Sequence, residues 1–164
     1  MDKPFTHLAG DGQLRMVDVT EKEPTRRSAE ASCVVHCDVD PFSLEAGSDG
    51  LDPVFAARLS GIQAAKRTSS LIPLCHPINL NDVDVEVRPT PGGAEVVATV
   101  VTVNRTGVEM EALTACSFAA LSLVGALAER GATATFEDVA LLRKSGGRSG
   151  DWGRLVTDVP DVAD

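Results

Sequence analysis

The stretch from Leu71 to Pro77 places a cysteine and a histidine between two prolines. Pro73 and Pro77 restrict the backbone, so Cys75 and His76 stand on a short, stiff segment. Histidine is the side chain best suited to proton transfer near neutral pH. A structural histidine would fit the same pattern, and adjacent side chains of an extended segment point to opposite faces. The stretch predicts an acid–base site at His76, with a purely structural role as the alternative.

Two glutamates, Glu109 and Glu111, stand where a long apolar helix is predicted to begin. The helix dipole favours carboxylates there whether or not they do chemistry. In a formed helix the two side chains would point about 200° apart, whereas in an extended turn they would share a face. Arg105, close to Gly107, brings a cation to the same region. We therefore predict a pair of acid–base carboxylates, with ordinary helix-start acids as the alternative.

A glycine-rich stretch with cations at both ends runs from Arg143 to Gly150. Its glycines free backbone N–H groups to surround an anion, although the spacing is not that of a Walker A loop. A flexible basic tail without a bound anion is the alternative. Lys66 and Arg67 stand near the end of a predicted helix, where the helix dipole favours cations in any case. The chain has a formal net charge of -9, so an anionic ligand needs a local cationic pocket. We predict one built from Arg67, Arg105, Lys144 and Arg148.

The helices and strands that position these stretches are predicted from the periodicity of apolar residues and from residues typical of helix ends. Residues 31–39 read as a strand, and a shorter strand-like piece lies at 14–19. Asp52 and Pro53 open a helix as N-cap and first helical residue. This helix carries an apolar stripe at i, i+4 and i+7 and is predicted to end before Pro73.

The second half of the chain predicts a hairpin, a long helix and a last strand. Residues 83–87 alternate valine with charged residues, and a Pro-Gly-Gly turn joins them to a valine-rich strand at 94–103. A helix over about 108–130 stops at Gly131, and a strand follows at 135–142. The order β-α-β-β-α-β predicts an α+β, ferredoxin-like fold, an antiparallel sheet with two helices on one face.

Composition bounds the class of protein. The chain has 164 residues, which predicts one domain over residues 1–150 and a flexible acidic tail at 151–164. Its negative charge argues against binding to nucleic acid or an anionic membrane. It has no signal-peptide pattern and no apolar run of about 20 residues. Four cysteines without CxxC spacing predict reduced thiols. We expect a cytoplasmic protein that needs no metal or cofactor.

The second predicted helix is apolar or small on nearly every side. A helix of this kind is buried on more than one face. In so small a domain, a partner subunit is the simplest cover. We therefore expect an oligomer.

Together these stretches resemble the MoaC-type cyclic pyranopterin monophosphate synthase family of molybdenum cofactor biosynthesis. The resemblance covers roughly residues 5–152. The similar segments are, in chain order, Phe5–Leu8, Met16–Val19, Ala57–Thr68, Leu71–Pro77, Thr106–Ala115 and Lys144–Gly147. Segments of this length in this order are specific to one family.

The resemblance implies a ferredoxin-like hexamer, a trimer of dimers, with active sites at subunit interfaces. It implies a lyase that converts 3′,8-cyclo-7,8-dihydro-GTP into cyclic pyranopterin monophosphate and pyrophosphate. Its catalytic residues correspond here to His76, Glu109, Glu111 and Lys66. We expect one cysteine and five cations to contact a nucleotide- or pterin-like ligand: Cys75, Arg27, Arg67, Arg105, Lys144 and Arg148. Arg148 stands in place of a family lysine.

Three positions depart from the family pattern. Gly50 stands where the family has a lysine, and Gly125 and Ala128 replace an aspartate and a lysine. The last two are i and i+3 on one helix face, and losing both avoids one unpaired buried charge. From these changes we expect a diverged MoaC-like enzyme that rearranges another small anionic molecule, in specialised metabolism. The alternatives are a genuine cyclic pyranopterin monophosphate synthase and a non-catalytic ligand-binding or partner subunit.

Overall fold

The computed structural model describes residues 7, 12–44 and 52–154. Five strands form one antiparallel sheet in the order β2-β3-β1-β4-β5. The elements are β1 (Thr25–Cys37), α1 (Pro53–Ala65), α2 (Thr68–Leu71), β2 (Asp82–Thr90), β3 (Gly93–Asn104), α3 (Glu109–Ala128), β4 (Ala134–Ser145) and β5 (Trp152–Gly153). The order of strands β1 to β4 and their crossings through α1 and α3 confirm the predicted ferredoxin-like α+β fold.

The core lies between one face of the sheet and the two long helices. Alternate residues of β1, from Ala29 to Val35, are buried against the helices. Their neighbours on β3 are equally small, with Ala31 opposite Ala98 and Cys33 opposite Val96. Small side chains on the inner face let α3 approach the sheet closely, so this region can bury a long apolar helix.

The start of α1 follows the predicted boundary signals, and helical structure ends at Leu71, before Pro73, as predicted. Asp52 accepts a hydrogen bond from the Phe55 N–H at 2.8 Å, and Pro53 is the first helical residue. The helix is interrupted after Ala65, because the backbone at Arg67 leaves the helical region before α2 begins. Two residues of the predicted apolar stripe, Phe55 and Leu59, face outward, and Phe55 is 54% exposed, whereas Ile62 packs against the core.

Small residues form the buried inner face of α1. Ala57, Gly61 and Ala64 are buried. A Cβ at Gly61 would lie 2.8 Å from the Ala115 carbonyl oxygen of α3. The close approach of the two helices therefore selects the small face and turns two of the larger apolar residues out.

Helix α3 is the central helix of the fold. It packs on α1 and on strands β1, β3 and β4. Among the described residues it is the one helix long and apolar enough to cross a membrane by length and composition, but it occupies the position of a core helix. An exposed stripe at helical spacing runs along its outer side through Phe118, Leu121, Gly125 and Ala128.

Two end regions differ from the predictions. Residues 14–19 form no strand, and only Leu14 makes an isolated bridge. At the other end, Trp152 pairs with Lys144 and Gly153 with Arg143. The sheet therefore extends into the segment predicted as a tail, whose residues 155–164 lie outside the described part.

Candidate active site

A cavity of about 310 Å³ lies where the β3–α3 connection meets the loop before β2 and the segment before β1. It brings together several predicted site residues from distant parts of the chain: Arg27, Cys75, His76, Glu109 and Glu111. The other lining residues are His7, Val17, Val19, Lys22, Leu74, Thr106, Gly107, Met110 and Ser149. Two acids, two histidines, a thiol and cations in one cavity can carry out proton transfer on an anionic ligand.

Cys75 and His76 both line this cavity, although neighbouring residues of an extended segment would face apart. A turn lies just before them, in which the Cys75 N–H donates to the Ile72 carbonyl at 3.4 Å. Burial raises the pKa of the Cys75 thiol, and the nearby Glu111 carboxylate raises it further. The thiol is therefore protonated near neutral pH, which makes it a weak nucleophile there.

Glu111 is the most deeply buried acid of the cavity, with 4% of its surface exposed. Burial raises the pKa of its carboxyl to about 7, against a smaller lowering by a backbone hydrogen bond, and the charge of Glu109 raises it further. A carboxyl with this pKa is present in both protonation states at neutral pH. Glu111 can therefore either donate or accept a proton there.

Glu109 begins α3 and turns its carboxylate back toward the chain before the helix. A side chain at Gly107 would collide with that carboxylate, so the glycine leaves the space that Glu109 occupies. Glu109 Oε1 accepts a hydrogen bond from Lys144 Nζ at 2.9 Å. This backward turn is how two acids at i and i+2 of a helix line the same cavity.

A second cavity of about 370 Å³ lies beside the first, and the two share Lys22 and Arg27. Its lining carries both signs of charge, because Glu21 and Glu23 line it together with the cations. Arg148 and Gly147 also line it. Arg27 Nε donates to the Asn104 carbonyl at 3.0 Å, and its guanidinium fills the space where a side chain at Gly147 would lie. The glycine-rich stretch thus makes room for Arg27, and Arg148 adds a second positive charge.

Other predicted residues lie away from this cavity in the single chain. Lys66 and Arg67 are exposed at the junction of α1 and α2, and Arg105 is exposed after β3. None of the three lines a described cavity that contains His76 or Arg148. Residue 50 lies outside the described residues.

The two substituted positions on α3 are exposed rather than buried. Gly125 and Ala128 belong to the outer stripe of the helix, and a Cβ at Gly125 would meet nothing within 4 Å. We expected positions 125 and 128 to lose both charged residues together because one unpaired buried charge is costly. Within one chain that cost does not arise, since both positions are exposed. It would arise only where another subunit covers the stripe.

Two residues of the cavity with titratable side chains, His7 and Lys22, were not predicted to belong to it. His7 pairs with Arg15, whose N–H donates to the His7 carbonyl at 2.9 Å and whose carbonyl lies 3.2 Å from His7 Nδ1. Lys22 precedes β1 among acidic residues. His7 lies in a family-like segment, and this position was the one feature of the sequence that could have marked it as a site residue. No feature of the sequence marked Lys22.

Comparisons with known proteins identify the family. The MoaC family model matches residues 16–147. Three relatives, each named cyclic pyranopterin monophosphate synthase, come from Streptomyces griseus, Nostoc sp. and Mycobacterium tuberculosis, where the name carries the number 1. The Streptomyces griseus protein is 44% identical, over 96% of this chain and 90% of its own length. The Nostoc protein is 47% identical, over 90% of this chain and 90% of its own length. The Mycobacterium tuberculosis protein is 45% identical, over 94% of this chain and 93% of its own length. The chain belongs to the MoaC family.

Proposed function

We propose that the chain is a cyclic pyranopterin monophosphate synthase, a lyase of molybdenum cofactor biosynthesis in the cytoplasm. Its substrate would be 3′,8-cyclo-7,8-dihydro-GTP, and its products the cyclic pterin phosphate and pyrophosphate. The observation that carries the proposal is the joining of His76, Glu109 and Glu111 in one cavity, with Lys144 paired to Glu109 from outside the lining. The shared name of the relatives supports this alternative better than the diverged reaction expected from positions 50, 125 and 128.

The reaction opens a purine ring, rebuilds it as a pterin and closes a cyclic phosphate, which requires several proton transfers. Glu111 supplies a carboxyl that can give and take a proton near neutral pH. His76 supplies an imidazole in the same cavity, in the proposed role of a general acid–base group. In this proposal Glu109, held by Lys144, is the second carboxylate of the site. The protonated Cys75 thiol contributes a contact rather than a nucleophile.

Pyrophosphate leaves as a highly charged group, and developing charge must be neutralised. Arg27, Lys22 and Arg148 line the neighbouring cavity and carry the positive charge for this task. The two cavities share residues, so a nucleotide could place its base by Glu111 and its phosphates by Arg148. On a chain with a formal net charge of -9, this cavity concentrates three cations, partly offset by Glu21 and Glu23, and in this proposal the cations contact the phosphates.

We also propose a homo-oligomer, a hexamer built as a trimer of dimers as in the family pattern. Large apolar side chains are exposed on the outer helix surface, including Phe55 and Leu121, the latter 53% exposed. Exposed apolar surface of this kind is typical of an interface. Lys66, Arg67 and the stripe through Gly125 would join an active site only across such an interface. Light scattering of the purified protein tests this directly, and a monomer would contradict it.

The activity test uses the purified chain and the cyclised dihydro-GTP. Oxidation of the product gives a fluorescent pterin, and released pyrophosphate is measured in parallel. Glu111→Gln should lower turnover by about 10²- to 10⁴-fold, the usual contribution of a general acid–base group. Glu129→Gln is the matched control, since Glu129 is exposed at the other end of the same helix. A wild-type chain without product would contradict the proposal.

A diverged reaction remains the second candidate, because Gly125 and Ala128 carry no charge where the resemblance implies an aspartate and a lysine. Its test is the triple variant Gly50→Lys, Gly125→Asp and Ala128→Lys. The Cβ at position 125 has open space, so the aspartate fits. An inert wild type with an active triple variant would indicate changed chemistry in a retained pocket. If both are inert and both still bind GTP, the non-catalytic subunit is favoured.

A further inference from the structure

A tight turn precedes the two candidate residues Cys75 and His76. Ile72 is its first residue and Cys75 its fourth, joined by the hydrogen bond from the Cys75 N–H to the Ile72 carbonyl. Pro73 occupies the second position, and Leu74 occupies the third with a φ of 65°. These are the features of a type II turn, whose third position requires a positive φ and usually holds glycine or asparagine.

Leucine is an unusual residue for this backbone. In the described part of the chain only two non-glycine residues have a positive φ, Leu74 and Asp138. Aspartate is enriched in the left-handed region, where its short polar side chain can bond locally. Leucine has no such compensation. Asp138 lies on β4 near a register shift and lines none of the described cavities of the site, whereas Leu74 is in the wall of the first cavity.

The left-handed step sets the direction in which the chain leaves the turn. The next two residues are Cys75 and His76, and both line the cavity. The turn therefore decides where this segment meets the cavity wall. Pro77 then restricts the backbone again, so the orientation of His76 is fixed from both sides.

We propose that Leu74 is a positioning residue whose left-handed backbone, rather than its side chain, orients His76 in the cavity. Unfavourable backbone conformations persist where the surrounding structure enforces them, and they concentrate at functional sites. The inference rests on the proposed role of His76 in proton transfer and deepens it.

Three substitutions separate the backbone from the side chain. Leu74→Val keeps an apolar wall, but a β-branched residue is a genuine outlier at positive φ. Leu74→Asn and Leu74→Gly remove the apolar side chain and accept that backbone readily. Asp138→Val is the matched control, because it places valine at the other positive-φ position, away from the cavity.

Misplacing a catalytic group by about 1 Å costs about 100-fold in rate, so we expect Leu74→Val to lower kcat about 100-fold while KM changes less than about threefold. Leu74→Asn and Leu74→Gly should keep kcat within about tenfold of the wild-type value. Asp138→Val should leave kcat unchanged. The opposite order, with Leu74→Val active and Leu74→Asn and Leu74→Gly impaired, would assign the role to the side chain and overturn the proposal.

The imidazole signals of His76 in ¹H–¹³C NMR, assigned with His76→Gln, give a readout without turnover. They should shift in Leu74→Val and stay near their wild-type positions in Leu74→Asn and Asp138→Val. If the wild type forms no product, the proposed function fails while these signals still test the positioning role. If Leu74→Val does not fold, loss of kcat and displaced His76 signals in both other Leu74 variants would overturn the inference.

Discussion

Lys144 Nζ lies 2.9 Å from Glu109 Oε1, and this ion pair joins the last long strand to the first turn of α3. The two side chains are 28% and 31% exposed, so solvent partly screens the attraction between them. The pair holds the Glu109 carboxylate over Gly107, on the side of the helix where Glu111 also faces the cavity. Lys144 therefore acts on the site through the acid that it holds.

Lys144→Ala should lower kcat/KM by about 10- to 100-fold, the size expected when a hydrogen bond to a charged group is lost. The neighbouring Arg143→Ala is the matched control, since Arg143 pairs with Glu30 and not with the cavity acids. Steady-state kinetics with the cyclised nucleotide measures both. Equal losses in the two variants would mean that the Glu109 pair has no special role.

Glu111 should make the folded state less stable as pH rises. Its folded pKa of about 7 lies above the ordinary value of 4.5, so the folded state binds this proton more tightly. The stabilisation is fully present below about pH 4.5 and is lost as pH rises through about 7, by about 3 kcal/mol in total. Urea unfolding of wild type and Glu111→Gln from pH 4.5 to 8.5 isolates this contribution, because glutamine does not titrate. A pH-independent difference between the two proteins would contradict the assignment.

Glu109→Gln should move the pH-dependent loss of stability that Glu111 causes to lower pH. The charge of Glu109 contributes to the raised pKa of Glu111, after burial. Removing that charge lowers the Glu111 pKa while burial still holds it above the ordinary value. In the unfolding series, the loss of stability in Glu109→Gln should therefore occur below the pH seen in wild type. An unchanged midpoint would show that the two carboxylates do not interact.

Local signals predicted much of this architecture. The Asp52–Pro53 pair predicted the start of α1, and the alternation at 83–87 predicted β2. Residues 71–77 and 105–111 were recognisable as chemistry-bearing because histidine and paired acids are rare in otherwise apolar segments. The structure brings His76, Glu109 and Glu111 into one cavity, as expected of a shared site.

Features that depend on tertiary contact could not be predicted in the same way. Periodicity showed a stripe through Phe55 and Leu59 but not which way it faces, since that depends on the close approach at Gly61. The contact between Cys33 and Cys116, with sulfurs 3.1 Å apart, joins residues far apart in the chain. The exposure of Gly125 likewise follows from how α3 packs.

The same substitution at two glycines should have opposite effects on stability. Gly61→Ala puts a methyl group 2.8 Å from the Ala115 carbonyl oxygen and 3.1 Å from Ala119 Cβ. Forcing α1 and α3 apart should cost about 1–3 kcal/mol. Gly125→Ala meets nothing within 4 Å on an exposed helix face, and the better helix propensity should stabilise by about 0.5–1 kcal/mol. Urea unfolding measures both. A stabilised Gly61→Ala would mean that the helices are less closely packed than described.

The four thiols should react in an order set by burial. Cys33 and Cys116 are fully buried, so iodoacetamide should reach them only after denaturation. Cys37 is partly exposed and is removed with Cys37→Ser. In that background we expect one label per native chain, at Cys75. Its rate at pH 8 should be below that of an ordinary thiol, because burial raises the Cys75 pKa and the thiolate is the reactive form.

GTP serves as the probe that links this labelling to the nucleotide site. Cys75 lines the cavity with Glu111 and Arg27, so a bound nucleotide should cover the thiol and slow its alkylation. Mass spectrometry of the labelled chain identifies the site and gives the rate with and without GTP. Arg27→Ala, which removes a cation shared by both cavities, should weaken the protection. Labelling that is equally fast with saturating GTP would place the nucleotide elsewhere on the molecule.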